Sequence, residues 1–216
     1  MTRMTLAPLV QSYYRETSKF IYETFDERPI GFKILNGPPL ERPALAIIGI
    51  QPGGPVACTN QNSMWPSKLE LLDADYCLAR KLRRLIARDI LEKSIGLNAI
   101  FVRSECTGDY NRNFTACERR QILQFCKPRA LSILEAARPK RILFVGLGTP
   151  RLLGAELLST HQNDRGRVLA RHVAVGGEDA LAVLHLTGAH IASTDRLRIA
   201  DLIGKWMGSG TSDRRI

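Results

Sequence analysis

Three short, almost wholly apolar runs constrain the fold of this chain more than any other feature. They are ALAIIGI at 44–50, NAIFV at 98–102 and RILFVGLG at 141–148. A run that does not alternate between apolar and polar residues is typical of a strand covered on both faces, as in a parallel sheet. Segments with helical periodicity separate the runs, and parallel strands need such crossovers. The sequence therefore predicts an α/β fold: one three-layer α/β/α domain around a mainly parallel sheet.

Helices and a hairpin are predicted around those strands. Apolar spacing predicts helices over about 1–25, 68–91 and 115–137, and a further helix that begins in TPRLLGAELLS at Thr149. The segment VLARHVAVGGEDALAVLHL is predicted to form two strands joined at Gly176-Gly177. A closing helix is expected in STDRLRIADLIGKWM, after a serine or threonine N-cap.

The length of the chain, 216 residues, is enough for one substantial hydrophobic core. We expect a single domain over 1–207, which begins with a helix and loop at 1–43, and a flexible tail at 208–216. No apolar run approaches the roughly 20 residues of a membrane span, and the first apolar stretch is too short for a signal peptide. The sequence therefore predicts a cytoplasmic protein without a membrane segment.

The charge balance is strongly basic. Lys and Arg number 31 against 21 Asp and Glu, which gives a net charge of +10 at pH 7. Such an excess favours a polyanionic partner, and nucleic acid before membrane because no basic amphipathic helix stands out. A basic protein with solvated arginines is the alternative.

The cysteine pattern excludes two common roles. The five cysteines are odd in number and widely spaced, and no CxxC pair occurs. This pattern predicts neither a disulfide scaffold nor a tetrahedral zinc site, and is typical of reduced thiols.

Candidate site residues follow the predicted strands, because ligands of open α/β sheets bind beyond the carboxyl ends of the strands. The first strand runs into GIQPGG, where Gln51 precedes a turn whose glycines let a ligand approach the backbone. A tight turn with an incidental glutamine is the alternative. Asn98, at the second run, can read a base edge or simply cap the chain. His185 and His190 flank a small-residue turn in HLTGAH, as functional or as structural residues.

The order of these motifs resembles the uracil-DNA glycosylase superfamily. GIQPGG is similar to its first motif, which reads GQDPY, GINPG or GExPG in different branches, and HLTGAH is similar to its second. NAIFVRS resembles the TNxVxR strand of the mismatch-specific branch. The stretch from NRNFTACERR to RILFVGLG resembles the central region of the iron–sulfur branches. The resemblance spans about 44–205 and implies a three-layer domain around four parallel strands.

The resemblance also implies base excision, in which the enzyme flips a base out of DNA and hydrolyses the N-glycosidic bond. Gln51 takes the position that orients the attacking water, and His185 takes the position that stabilises the departing base. The base-binding residues implied are Gly49, Ile50, Pro52, Gly53, Trp65 and Asn98. The DNA-binding residues implied are Thr187, Gly188, Ala189 and His190.

The sequence departs from the family pattern at several positions. Gln51 is an amide and cannot act as a general base, so it could only orient water. Gly53 replaces the tyrosine that bars thymine in the strictest uracil enzymes. Ala189 is too small for the usual wedge residue, a role that His190 could take.

The ligands of an iron–sulfur cluster are incomplete as well. Only Cys106 and Cys126 resemble the expected positions, whereas such a cluster needs four thiolates. Cys58, Cys77 or Cys117 could complete the set only by an unfamiliar geometry. We therefore expect neither a cluster nor another metal.

The resemblance, together with the basic charge, implies a monomeric DNA glycosylase, a hydrolase that removes uracil or a related deaminated or mismatched base in base-excision repair. A protein that binds DNA or damaged bases without turnover is the alternative, favoured by Gln51. A third possibility keeps the fold but acts on RNA or a small nucleoside.

Overall fold

The chain folds around one mixed sheet in the computed structural model, which describes residues 5–26, 28–59, 64–187 and 191–208. The strands in that part are β1 (Leu45–Gly49), β2 (Ser94–Asn98), β3 (Ile142–Val145), β4 (Glu156–Gln162), β5 (Val168–Val175) and β6 (Glu178–Val183). The helices are α1 (Leu6–Thr24), α2 (Cys77–Leu85), α3 (Arg88–Glu92), α4 (Thr107–Asn113), α5 (Ala116–Ala137), α6 (Thr149–Leu152) and α7 (Ser193–Gly208). A short 3₁₀ turn at Glu70–Leu72 precedes α2.

The sheet has a parallel half and an antiparallel half. Its six strands lie in the order β2-β1-β3-β6-β5-β4, and the first four of these are parallel to each other. In the β1–β2 pair, Gly49 lies level with Asn98. The carboxyl ends of the four parallel strands therefore meet at one edge of the sheet.

The antiparallel half is a meander formed by β4, β5 and β6. Both β4–β5 and β5–β6 pair antiparallel. Gly176 and Gly177 join β5 to β6 with φ of 59° and 83°, a left-handed pair that suits a two-residue hairpin turn. The hairpin predicted at these glycines is confirmed.

The predicted sheet of four strands is incomplete, because β4 and β5 extend it. The helix predicted from Thr149 ends at Leu152, and the chain from Glu156 onward is a strand. Gly154 adopts a φ of 75°, a left-handed conformation that ends a helix. Strand β4 is exposed along almost its whole length, so it lacks the apolar pattern of a buried strand.

Two other boundaries differ from the prediction. Strand β2 ends at Asn98, where the predicted strand begins, because every residue from 94 to 102 is buried and apolar content alone does not locate the strand. The single helix predicted over 68–91 is divided into the 3₁₀ turn, α2 and α3. Ile86, at the end of α2, has extended backbone angles that interrupt the helix.

Helices cover both faces of the sheet. Ala46 and Ile48 of β1 pack in one core cluster with α1 and α5, while Leu45 and Ile47 pack on the other face with α2 and α7. Each large side chain buried in this way stabilises the fold by about 1.5–3 kcal/mol. Among the described helices, none is long and apolar enough to cross a membrane.

Candidate active site

A cavity of about 780 Å³ opens at the edge where the parallel strands end. Gln51 lines it just beyond β1, Asn98 at the end of β2, and His185 two residues beyond β6. Besides Asn98, three predicted base-binding residues line the same cavity: Gly49, Pro52 and Gly53. The structure thus brings together side chains that lie up to 134 positions apart in the sequence, from Gln51 to His185.

Of the two polar atoms in the Gln51 amide, only the nitrogen has a hydrogen-bond partner among the described residues. Its Nε2 donates to the carbonyl oxygen of Cys106 at 3.4 Å. Its Oε1 is buried and accepts no hydrogen bond from any residue that the structure describes. A buried acceptor without a partner costs about 1–3 kcal/mol. Gln51 therefore offers an acceptor whose natural partner is a water molecule or a ligand in the cavity.

Arg103 holds the glycine-rich loop that carries Gln51. This arginine is 6% exposed, and its Nη1 donates to the carbonyl oxygen of Gly53 at 2.7 Å. The backbone N–H of Ser104 donates to the carbonyl oxygen of Pro52 at 3.2 Å. These two hydrogen bonds join the loop to the segment that follows β2. The loop that carries Gln51 is therefore held by the segment directly after Asn98.

The loop is open at Gly53. A Cβ at this position would meet no atom within 4 Å, whereas one at Gly54 would be strained because its φ is 104°. In the described part of the chain, no backbone carbonyl oxygen accepts a hydrogen bond from the N–H of Gly53. Gly53 therefore leaves both space and a backbone donor at the cavity mouth.

Asn98 is buried, with 2% of its surface exposed. Its Nδ2 donates to the carbonyl oxygen of Lys33 at 3.1 Å and lies 3.4 Å from Oδ1 of Asn36. Its Oδ1 lies beside Gly49, 3.4 Å from the point where a Cβ would be. The side chain is therefore fixed with its acceptor at the end of β1.

His185 is half-buried, and its ring is held by the turn that follows it. The backbone N–H of Thr187 donates to Nδ1 at 3.4 Å, and the Thr187 hydroxyl lies 3.0 Å from the same nitrogen. Burial lowers the pKa of His185, and the Lys81 ammonium lowers it further. A neutral ring that accepts at Nδ1 carries its proton on Nε2, so His185 presents a neutral N–H donor.

The turn itself is tied to α2. Lys81 donates through Nζ to the carbonyl oxygen of Leu186 at 2.5 Å. Thr187, one of the implied DNA-binding residues, is exposed and places its hydroxyl against His185. The other predicted DNA contacts, Gly188, Ala189 and His190, lie outside the described residues.

Two predicted base-binding residues lie outside the group that lines the cavity. Trp65 packs edge-on against Tyr14, with ring centroids 6.0 Å apart. Ile50 lies beside Gly146, and its carbonyl oxygen accepts from Ile100 at 2.8 Å. Tyr76, at the start of α2, is an aromatic residue that does line the cavity, and it is 45% exposed. Sequence spacing had not singled out Tyr76.

The cavity wall also contains an ion pair that no sequence motif indicated. Lys33 Nζ lies 2.5 Å from Oε1 of Glu70, and both residues line the cavity. A usable signal was present, since Lys33 is a charged residue between the apolar Phe32 and Ile34. A lysine within an apolar segment indicates either a buried ion pair or a binding role.

The two cysteines that resemble cluster ligands do not form a cluster site. Cys126 is buried in the core, where its sulfur accepts from the backbone N–H of Phe101 at 3.4 Å, and burial raises its pKa to about 12. Cys106 is exposed, and its thiol donates to Asp109 at 3.1 Å. In the described part of the chain, no group of three or more His, Cys, Asp or Glu side chains could hold a metal ion. The residues present do not fit an iron–sulfur cluster.

Comparisons with known proteins add nothing to these observations. A scan of protein-family models finds no match for this chain. A search of curated proteins likewise finds no significant similarity. The function is therefore inferred from the residues of the site.

Proposed function

We propose that this protein is a DNA glycosylase that hydrolyses the N-glycosidic bond of uracil or a related deaminated base. One observation carries the proposal: Gln51, Asn98 and His185 reach the same cavity from three different strand ends. The three side chains supply a hydrogen-bond acceptor for water, a buried amide that suits a base edge, and a neutral imidazole donor for the departing base.

Each side chain has a distinct role in the proposed reaction. Asn98 binds the edge of the flipped base, and the Nε2–H of His185 donates to a carbonyl oxygen of that base. The N-glycosidic bond breaks with its electrons on the base, and the hydrogen bond from His185 stabilises the anion as it forms. Gln51 Oε1 accepts a hydrogen bond from water, which bonds to the sugar C1′ and releases its proton to solvent or to the departing base.

The charge of the chain supports a DNA substrate. A net charge of +10 favours binding to the phosphate backbone, and neutralised phosphates dominate the affinity of proteins for DNA. We propose that the protein acts as a monomer in the cytoplasm, with the cavity turned toward the DNA.

The second candidate is a protein that binds damaged bases without hydrolysis. The amide of Gln51 favours it, since an amide cannot take a proton from water and its Nε2 is held by Cys106. The two candidates share the base-binding cavity and differ only in whether the bond breaks.

Excision of bases from labelled oligonucleotides distinguishes the two. The substrates carry one uracil, hypoxanthine or xanthine, or a G·T mismatch, in single- and double-stranded form, and alkali cleaves the abasic product. We expect the wild-type protein to excise the base. His185→Ala should lower the excision rate about 100- to 1,000-fold, as does the loss of one preorganised hydrogen-bond donor. The control is Gln124→Ala, at an exposed position on α5. Binding without excision of any substrate would leave the second candidate.

A further inference from the structure

The ion pair between Lys33 and Glu70 lies in the cavity wall and is largely removed from water. The Lys33 side chain is 6% exposed and that of Glu70 is 25% exposed. Removing two charges from water costs several kcal/mol for each ion, and apolar residues often stabilise a buried site as well or better. Stability therefore explains poorly why a lysine is buried at this position. A ligand in the cavity that accepts a hydrogen bond from the lysine explains it directly.

Lys33 also fixes the orientation of Asn98. The segment that carries Lys33 runs beside β2, where Lys33 N–H donates to Phe101 and Asn98 N–H donates to Ile34. The Lys33 carbonyl oxygen can only accept a hydrogen bond, so the Asn98 atom 3.1 Å from it is the amide nitrogen. The amide donors of Asn98 are thus engaged by Lys33 and Asn36, and Oδ1 is the atom left for a base.

A single acceptor cannot read both groups of a base edge. In uracil, hypoxanthine and xanthine, a ring N–H stands next to a carbonyl oxygen. Asn98 Oδ1 can accept from the ring N–H, but a second group must donate to the carbonyl oxygen beside it, since His185 donates to the other carbonyl oxygen of uracil or xanthine. The Lys33 ammonium has three N–H bonds, and Glu70 accepts from only one side of it.

We propose that Lys33 and Asn98 together read the edge of the bound base, and that Glu70 is a positioning residue that holds the Lys33 ammonium. This inference rests on the proposed base-binding cavity, and it makes Lys33 a specificity-determining residue. The pair selects bases with a ring N–H beside a carbonyl. Cytosine and adenine are rejected, because their amino group would meet the ammonium and their ring nitrogen would meet Oδ1 of Asn98.

A binding comparison tests this selection without requiring turnover. The probes are two single-stranded, dye-labelled oligonucleotides, one with a central uracil and the other with a central cytosine. In each probe the central nucleotide has a 2′-fluoroarabino sugar, which resists hydrolysis. The measured quantity is the ratio of the two dissociation constants for the wild type, Lys33→Met and Glu70→Gln. Lys19→Met is the matched control, since Lys19 forms an exposed ion pair with Glu23 on α1.

The wild type and Lys19→Met should prefer uracil, and Lys33→Met should reduce that preference about 10- to 100-fold, as expected for one lost charged hydrogen bond. Glu70→Gln should reduce it less. An unchanged ratio in Lys33→Met, even with weaker overall binding or lower stability, would overturn the inference and leave Lys33 a structural residue. The excision assay tests the proposed function separately. Excision together with an unchanged ratio of dissociation constants in Lys33→Met refutes only the role of Lys33. A ratio that depends on Lys33, without excision, refutes only hydrolysis.

Discussion

Gly31 lies so close to Cys58 that a Cβ at position 31 would be 1.8 Å from the Cys58 carbonyl oxygen. The N–H of Gly31 also donates to the carbonyl oxygen of Val56 at 2.5 Å. The loop that begins with Gln51 therefore packs back on the segment that leads to Lys33. The two sides of the cavity are joined by a contact that only glycine allows.

Replacement of Gly31 by alanine should destabilise the protein by about 2–3 kcal/mol, because the Cys58 backbone must move to admit the methyl group. Urea unfolding measures the change. The control is Gly53→Ala, where the new methyl group meets no atom and the free energy of unfolding should change by less than about 0.5 kcal/mol. Equal stability of the two variants would contradict the close contact at Gly31.

Protonation of His185 should lower excision in acid. The pKa of His185 lies below its ordinary value of 6.5, chiefly through burial, so the ring is neutral at pH 7. A lowered pKa means that the folded state binds the proton less readily than the unfolded state. Both excision and the contribution of His185 to stability should be constant above pH 6.5 and fall as the pH drops below that value.

The measurement for His185 is the excision rate as a function of pH for the wild type and His185→Gln. Glutamine keeps an N–H donor but does not titrate, so its slower reaction should lack the acidic decline. A decline of equal size in both proteins would assign it to another group.

Gln51→Ala should separate activity from stability. Loss of the water-orienting acceptor should lower the excision rate about 100-fold, since small errors in position have effects of that size. The free energy of unfolding should stay constant or rise, because the variant removes a buried acceptor without a partner. Denaturant unfolding and single-turnover excision measure the two effects, with Gln124→Ala as the control. A variant that loses stability and activity together would give Gln51 a structural role instead.

Tyr76→Ala should weaken binding of an oligonucleotide that carries the uncleavable uracil probe. Tyr76 is an exposed aromatic in the cavity wall, and stacking of one base on an aromatic side chain contributes about 1–3 kcal/mol. Tyr76→Phe should retain the affinity. Tyr22→Ala removes a tyrosine that is 62% exposed on α1 and should bind as the wild type does. Unchanged binding by Tyr76→Ala would exclude Tyr76 as the stacking residue.

The parts of the fold that could be predicted are those with local or strongly patterned signals. The apolar run of β1 has no alternation, and the paired glycines at 176 and 177 specify a hairpin by themselves. The convergence of Gln51, Asn98 and His185 follows from one rule, since parallel strands bring their carboxyl ends to one edge.

Strand β4 could not be predicted, because its stability comes from pairing and not from its own pattern. Leu157 and Leu158 are each 56% exposed, although adjacent leucines after a Pro-initiated helix favour continued helix. The hydrogen bonds to β5 determine the conformation of this segment, and the sequence gives no local sign of that partner.

The cavity wall beyond β2 could not be predicted either, because its residues come from distant loops. Lys33 and Glu70 are 37 positions apart, and the N–H of Glu70 donates to the carbonyl oxygen of Asn36. That bond joins the long loop to the segment after Lys33, and in the same loop Trp65 packs against Tyr14 while Tyr76 lines the cavity. Trp65, which its spacing from Gln51 singled out, therefore lies outside the cavity lining, whereas Tyr76 lies within it.

The meander of β4, β5 and β6 has a consequence for the order in which the molecule assembles. These strands pair with their neighbours in sequence, whereas β1, β2 and β3 are joined by long crossovers. Short-range pairing closes small loops and is fast, while long-range parallel pairing is slow. We expect the meander to form first. Strand β3 would then pair with β6, and β1 and β2 would pair after it. The strand ends that carry Gln51 and Asn98 would then reach His185 last, so that the cavity is the final part of the protein to form.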